Sequence, residues 1–95
     1  MRLLSWNCRG LKNPFAIQSL HHLVKSQRPE VLFLMETKLN AEQVEWIRVK
    51  TGFRNVFTVP CHGRSGRLAL LWREGVHLEI NFFFNFFYIL TLIYV

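Results

Sequence analysis

Apolar and polar positions follow two rhythms along this chain, and the switches between them mark its elements. Arg2 to Trp6 opens with Leu3, Leu4 and Trp6, then stops on Asn7, Cys8, Arg9 and Gly10. A strand is therefore expected to end at a polar turn that pivots on the glycine. Asn13-Pro14 follows. Asn is a good helix cap, and Pro fits the first helical position, where its missing N–H is no loss. Ile17, Leu20 and Val24, with Leu23 beside them, then recur at helical spacing. The helix is expected to stop near Gln27, because Pro29 disfavours helical backbone in the residue before it. Val31 to Met35 is a continuous apolar run, the pattern of a buried central strand. Strand, helix and strand in this order predict a βαβ-like unit.

The second half repeats the alternation. Asn40 followed by Gln43 resembles a capping box, with Asn in place of Ser or Thr. A second helix is predicted to run to about Thr51 and end at Gly52, a residue suited to a left-handed cap. Val44, Ile47 and Trp46 are its candidate core positions. Asn55 to Val59 reads as a third strand ended by Pro60, residues 61–66 as a glycine-bearing loop, and Leu68 to Trp72 as a fourth strand. Glu74-Gly75 is a turn. Val76 to Phe82 alternates as a fifth strand should, with Val76, Leu78, Ile80 and Phe82 on one side. The apolar tail is shorter than the roughly 20 apolar residues of a membrane-spanning helix. It is rich in aromatic and β-branched residues and holds Asn81 and Asn85. It is expected to turn near Asn85 and return as a sixth strand from Tyr88 to Tyr94, antiparallel to the fifth.

Composition narrows the possible partners. The chain has 95 residues, 51% of them hydrophobic, which is enough for one small domain with a real core. Its net charge of +6 suits a polyanion, either nucleic acid or an acidic membrane surface. Every charged residue lies at or before Glu79. Cys8 and Cys61 lack metal-ligand or redox spacing and read as free thiols of an intracellular protein, with no disulfide partner. All six acids are glutamates, and the chain contains no aspartate. Chemistry that needs an aspartate base or ligand cannot run on this polypeptide alone.

Asn7 and Glu36 are the first candidates for chemistry. If the strands before them are parallel neighbours, both residues project from the same rim of one sheet, where ligands of α/β folds bind. A carboxylate beside an amide suits Mg²⁺, which prefers oxygen, keeps several waters and is often held by one or two carboxylates plus substrate phosphate. The plainer alternative is a turn-capping Asn7 and a solvated Glu36, and spacing alone leans that way. Arg9, Lys12 and Lys38 offer either a basic border to the site or solvated charge. Arg64 and Arg67 offer either phosphate contacts or solvated arginines on a glycine-shaped connection. Trp6, Trp46 and Trp72 could stack on bases, but packing is their plainer role.

Three stretches together carry a resemblance: LLSWNCRGL from Leu3, RPEVLFLMETKL from Arg28 and GRSGRLALLW from Gly63. In order and spacing they resemble the endonuclease/exonuclease/phosphatase family. They are most like the nuclease domain that opens plant LINE-type retrotransposon polyproteins. The resemblance is close from Arg2 to about Trp72 and looser from Val76. It implies an α/β (α+β) fold, a four-layer α/β/β/α sandwich of the DNase I-like type, and Mg²⁺-dependent cleavage of phosphodiester bonds in DNA. The family's W-N asparagine, which helps organise metal and phosphate, falls on Asn7. Its E-T glutamate, the principal metal ligand, falls on Glu36. Thr37 and Lys38 match the tail of that motif without a role to carry over.

The departures bear on activity. The family also uses a later tyrosine, an aspartate-asparagine pair that includes the base, and a final aspartate-histidine pair. With no aspartate, those roles are unfilled, and none of His21, His22, His62 and His77 replaces them. Such a domain is expected to need roughly 200 residues, so the chain reads as about its first half. Residues 1–79 would be the N-terminal part of the domain and residues 80–95 an apolar tail. A missing C-terminal half would then be its natural partner. The expectation is a fragment of a DNA nuclease that does not cleave. The alternatives are a non-catalytic basic module that binds nucleic acid and a small protein held at a membrane by its tail.

Overall fold

The computed structural model describes residues 2–60, 67–84 and 87–94. Strand β1 (Leu3–Asn7) leads into helix α1 (Pro14–Gln27), strand β2 (Val31–Met35) and helix α2 (Ala41–Thr51). Strands β3 (Asn55–Pro60), β4 (Arg67–Trp72), β5 (Val76–Phe84) and β6 (Phe87–Tyr94) follow. Mixed helix and sheet is the class expected from the alternating periodicities.

Local chemistry fixes the helix ends. Asn13 has extended backbone, and its side chain accepts a hydrogen bond from the Phe15 N–H at 2.8 Å, with Pro14 next in the first turn. Asn40 and Gln43 form a reciprocal capping box: Asn40 Oδ1 accepts from the Gln43 N–H at 2.8 Å, and Gln43 Oε1 accepts from the Asn40 N–H at 2.9 Å. Gly52 ends α2 with φ +83°, the left-handed region that glycine enters without strain. Helix α1 ends differently. Its cap is Arg28 in left-handed backbone at φ +48°, without help from a glycine.

The four-stranded sheet has the order β1-β2-β4-β3. Strand β1 runs parallel to β2, whereas β4 is antiparallel to both β2 and β3. Two rows cross the sheet on the helix side: Leu4, Leu32, Leu71 and Val56, then Trp6, Leu34, Ala69 and Thr58. Leu32, Leu34, Ala69 and Leu71 are buried, with Leu20 and Val24 of α1 and Val44 and Ile47 of α2 in the same cluster. Both helices therefore cover one face, completed by Leu11, Leu39 and Phe53 from the connections. The opposite face carries the row Ser5, Phe33, Leu70 and Phe57. Leu3 and Phe57 are exposed on that side.

Three details depart from the sequence reading. Trp46 is 48% exposed instead of core-facing, because Val44 and Ile47 alone fill the buried stripe of α2. The β5–β6 ladder shifts register between Ile80 and Phe82, so strict alternation does not persist through Phe82. Strand β5 also continues to Phe84. The expected turn at Asn85 lies outside the described residues. Strand β6 does run antiparallel to β5, from Phe87 to Tyr94. The tail-anchor alternative needed a helix there, and among the described residues no helix is long and apolar enough to cross a membrane.

Candidate functional site

Parallel pairing puts the ends of β1 and β2 side by side. Asn7 lies opposite Met35, so Glu36 is the first residue past the ladder at the rim where Asn7 ends its strand. The two outgoing loops stay paired. The Cys8 N–H donates to the Met35 carbonyl at 3.0 Å, Gly10 to Glu36 at 2.8 Å and Leu11 to Thr37 at 2.8 Å. Segments 8–11 and 35–37 thus form one braced unit above the sheet.

Three of the four non-glycine residues with left-handed backbone among the described residues lie in this unit or next to it: Arg9 at φ +53°, Glu36 at +54° and Lys38 at +58°. Such backbone costs an L-residue roughly 1–2 kcal/mol. It persists only where surrounding contacts over-determine it, and it gathers at functional sites. Gly10, at φ +103°, supplies the sharp turn, and a Cβ there would meet Lys38 Cδ at 3.3 Å. The Lys38 stem therefore crosses directly over the glycine.

Asn7 is exposed, and its Oδ1 accepts from the Arg9 N–H at 3.2 Å. That is the turn-capping role of the plainer sequence reading. It leaves the second lone pair of Oδ1 and the amide NH₂ for other partners. Glu36 is half-buried, and its carboxylate makes no hydrogen bond to the protein among the described residues. A strained residue with an unused carboxylate contributes little to the fold that holds it. Thr37, which sequence reasoning left without a role, is fully buried. Its Oγ1 accepts from the Leu39 N–H at 3.3 Å and shapes the loop. A Thr just after a predicted strand, able to form a side-chain turn, was the available signal.

Cys8, the first residue of this unit, is buried, with its Sγ directed at the Trp6 carbonyl, 3.7 Å away. Burial pushes its thiol up to about 12. A thiol so hard to ionise is a packing group instead of a nucleophile.

The remaining candidates separate. Arg9 is exposed on the braced unit. Arg67 begins β4, and the antiparallel register that pairs Leu34 with Ala69 carries its backbone to the same rim. Arg64 lies outside the described residues, as do Cys61 and His62. Glu30 and Glu74 sit at the other rim, where Val31 pairs with Trp72 and the Arg73 N–H donates to the Glu30 carbonyl. Neither glutamate can assist Glu36. Among the described residues, no three His, Cys, Asp or Glu side chains converge in a metal-binding group. One carboxylate and one amide oxygen are a partial donor set, suited to a cation that keeps waters and takes phosphate oxygens as well.

The model of the Endonuclease/Exonuclease/phosphatase family matches residues 4–90. The chain belongs to that family. No curated protein matches it. Membership covers both helices and all of β2 to β5, so the braced unit with Asn7 and Glu36 is family sequence in full. The mixed α/β architecture is consistent with part of a DNase I-like fold. The family is one of hydrolases acting on phosphate esters, nucleic acids among them.

Proposed function

We propose that the rim bearing Asn7, Arg9 and Glu36 is the metal- and phosphate-organising part of a DNA phosphodiesterase site, and that this chain does not cleave by itself. The observation that carries the reading is the braced unit, which holds Glu36 in costly left-handed backbone with its carboxylate making no hydrogen bond among the described residues. Glu36 and the Oδ1 of Asn7 would hold Mg²⁺, which when bound supplies positive charge against the phosphate and orients water. Arg9, with Arg64 and Arg67 from the connection into β4, would contact backbone phosphates. The resemblance to LINE-type nuclease domains supports residues 1–79 as the first part of such a domain, completed by a C-terminal half in which the aspartates reside.

Inactivity follows from the inventory of bases. General-base assistance is worth about 10²–10⁴-fold. A carboxylate on Mg²⁺ cannot supply it, because the cation lowers its basicity. The chain has no aspartate, and Glu30 and Glu74 lie at the far rim, so neither of these two glutamates can serve as the base. What survives is salt-sensitive binding, favoured by the net charge of +6.

The test pairs a nicking assay with amide NMR. Supercoiled plasmid and abasic duplex are incubated with the chain and Mg²⁺, with Glu36→Ala as control. No nicking above background is expected. Mg²⁺ with a short oligonucleotide should shift the amide signals of Asn7 to Gly10 and Glu36, and Glu36→Ala should abolish those shifts. Metal-dependent nicking lost in Glu36→Ala would refute inactivity. Mg²⁺ shifts confined to other residues would refute the site.

A further inference from the structure

The opposite rim of the sheet carries a second basic feature that the proposed site does not use. A cleft of about 620 Å³ opens between the C-terminal ends of α1 and α2 and the loop after β4, lined by His21, Lys25, Arg28, Glu30, Thr51 and Arg73. Basic residues at helix C-termini often do no more than complement the helix dipole. Here another residue already caps the last carbonyl of α1. Arg2 Nη1 donates to the Gln27 carbonyl at 3.2 Å and to Gln27 Oε1 at 3.2 Å. The Arg28 N–H closes onto the Val24 carbonyl. The charged groups of Lys25 and Arg28 have no hydrogen bond or ion pair among the described residues.

Arg73 is held in place. Its Nε donates to the Pro29 carbonyl at 3.0 Å, and its guanidinium lies 4.7 Å from the centre of the buried Phe53 ring. Its two terminal nitrogens make no hydrogen bond to the protein among the described residues. A guanidinium fixed by stacking, with its outer donors free, is pre-organised for an oxyanion. The cleft's one acid, Glu30, accepts from the Arg2 N–H at 2.6 Å, and that backbone bond lowers its pKa. Counting Lys25, Arg28 and Arg73 against Glu30 leaves the lining cationic, with His21 as a further donor.

We propose that this cleft is a second, non-catalytic anion site that takes a phosphate-type oligoanion, with Arg73 as its fixed centre and Lys25 and Arg28 as mobile clamps. It lies a full strand length from Glu36, so a ligand can occupy it independently of the first rim. The shared chemistry is a terminal or condensed phosphate. Its source is either free pyrophosphate or the 5′-phosphate of a nucleic-acid strand.

The experiment titrates the full chain, without metal, with pyrophosphate, a 5′-phosphorylated oligonucleotide and the same oligonucleotide with a 5′-hydroxyl. Binding is followed by amide NMR. Shifts centred on Arg28, Glu30 and Arg73 are expected with pyrophosphate, with the 5′-phosphorylated strand, or with both, and the responding titrant identifies the source. Lys25→Glu/Arg28→Glu should weaken that titrant at least tenfold. Lys12→Glu/Lys50→Glu, the same charge change outside the cleft, should weaken it by less than threefold. Neither double variant touches the Arg73–Phe53 stack, so both should fold. The proposal is overturned by shifts spread over all basic residues, by equal weakening in the two double variants, or by a response indifferent to the 5′-phosphate with none to pyrophosphate.

Discussion

Replacing Glu36 separates what the fold needs from what the site needs. Glu36 has φ +54°, half-buried surroundings and no carboxylate hydrogen bond among the described residues. Glu36→Ala removes the carboxylate and keeps the strain, because alanine retains a Cβ. Glu36→Gly removes both. Relief of left-handed backbone is worth roughly 1–2 kcal/mol. Glycine returns about 0.4–1 kcal/mol of that through the greater entropy of the unfolded chain. The glycine variant should thus exceed the alanine variant by about 0.5–1 kcal/mol, or roughly 3–6 °C in Tm for a domain of this size. Urea and thermal unfolding followed by circular dichroism measure the difference, with metal titration alongside. Both variants should lose Mg²⁺ response to the same extent. A glycine variant no more stable than the alanine variant would show that the backbone at Glu36 is not strained, and the main support for the site would go with it.

Two further outcomes follow from the same unit. The Cys8 thiol has a folded-state pKa raised to about 12 from 9.0. The protonated thiol's contribution to stability should be intact below about pH 9 and lost as pH rises from there towards 12. Cys8→Ala should flatten that alkaline loss in urea midpoints taken across the range, whereas an unchanged pH profile would place its origin elsewhere. Thr37→Val keeps the shape of a fully buried side chain and deletes the oxygen that accepts from the Leu39 N–H. It should lower stability by about 1 kcal/mol, and a variant as stable as the parent would show that the hydroxyl is dispensable.

The elements most legible in the sequence are those written in local chemistry. Asn13-Pro14, Asn40 with Gln43, and Gly52 each act within one helical turn, and each marks a helix end in the structure. The apolar run of β2 was equally plain, and with it the placement of Asn7 and Glu36 at one rim. The strain at Glu36 and Lys38 was not legible, because left-handed backbone in a non-glycine residue is imposed by the neighbouring loop. Nor was the exposure of Trp46. Val44, Trp46, Ile47 and Val49 are spread around α2, so periodicity could not choose between faces, and Trp46 and Val49 both point outwards. The cleft around Arg73 joins residues from α1, α2 and the end of β4. No local pattern announces a site assembled from three distant stretches.

Strand order also dictates the order of assembly. Strand β4 is inserted between β2 and β3, and Val31 pairs with Trp72, roughly forty residues later in the chain. While the polypeptide is being synthesised, β1, α1 and β2 can form a parallel pair early, but the VLFLM edge of β2 then waits for its permanent neighbour. Strand β3 is made before β4 yet cannot dock on the sheet without it. An apolar, uncharged strand with one side unpaired is a template for the wrong partner. The interval between the emergence of Met35 and that of Trp72 is therefore when misassembly competes with folding, and β4 is the element that closes it.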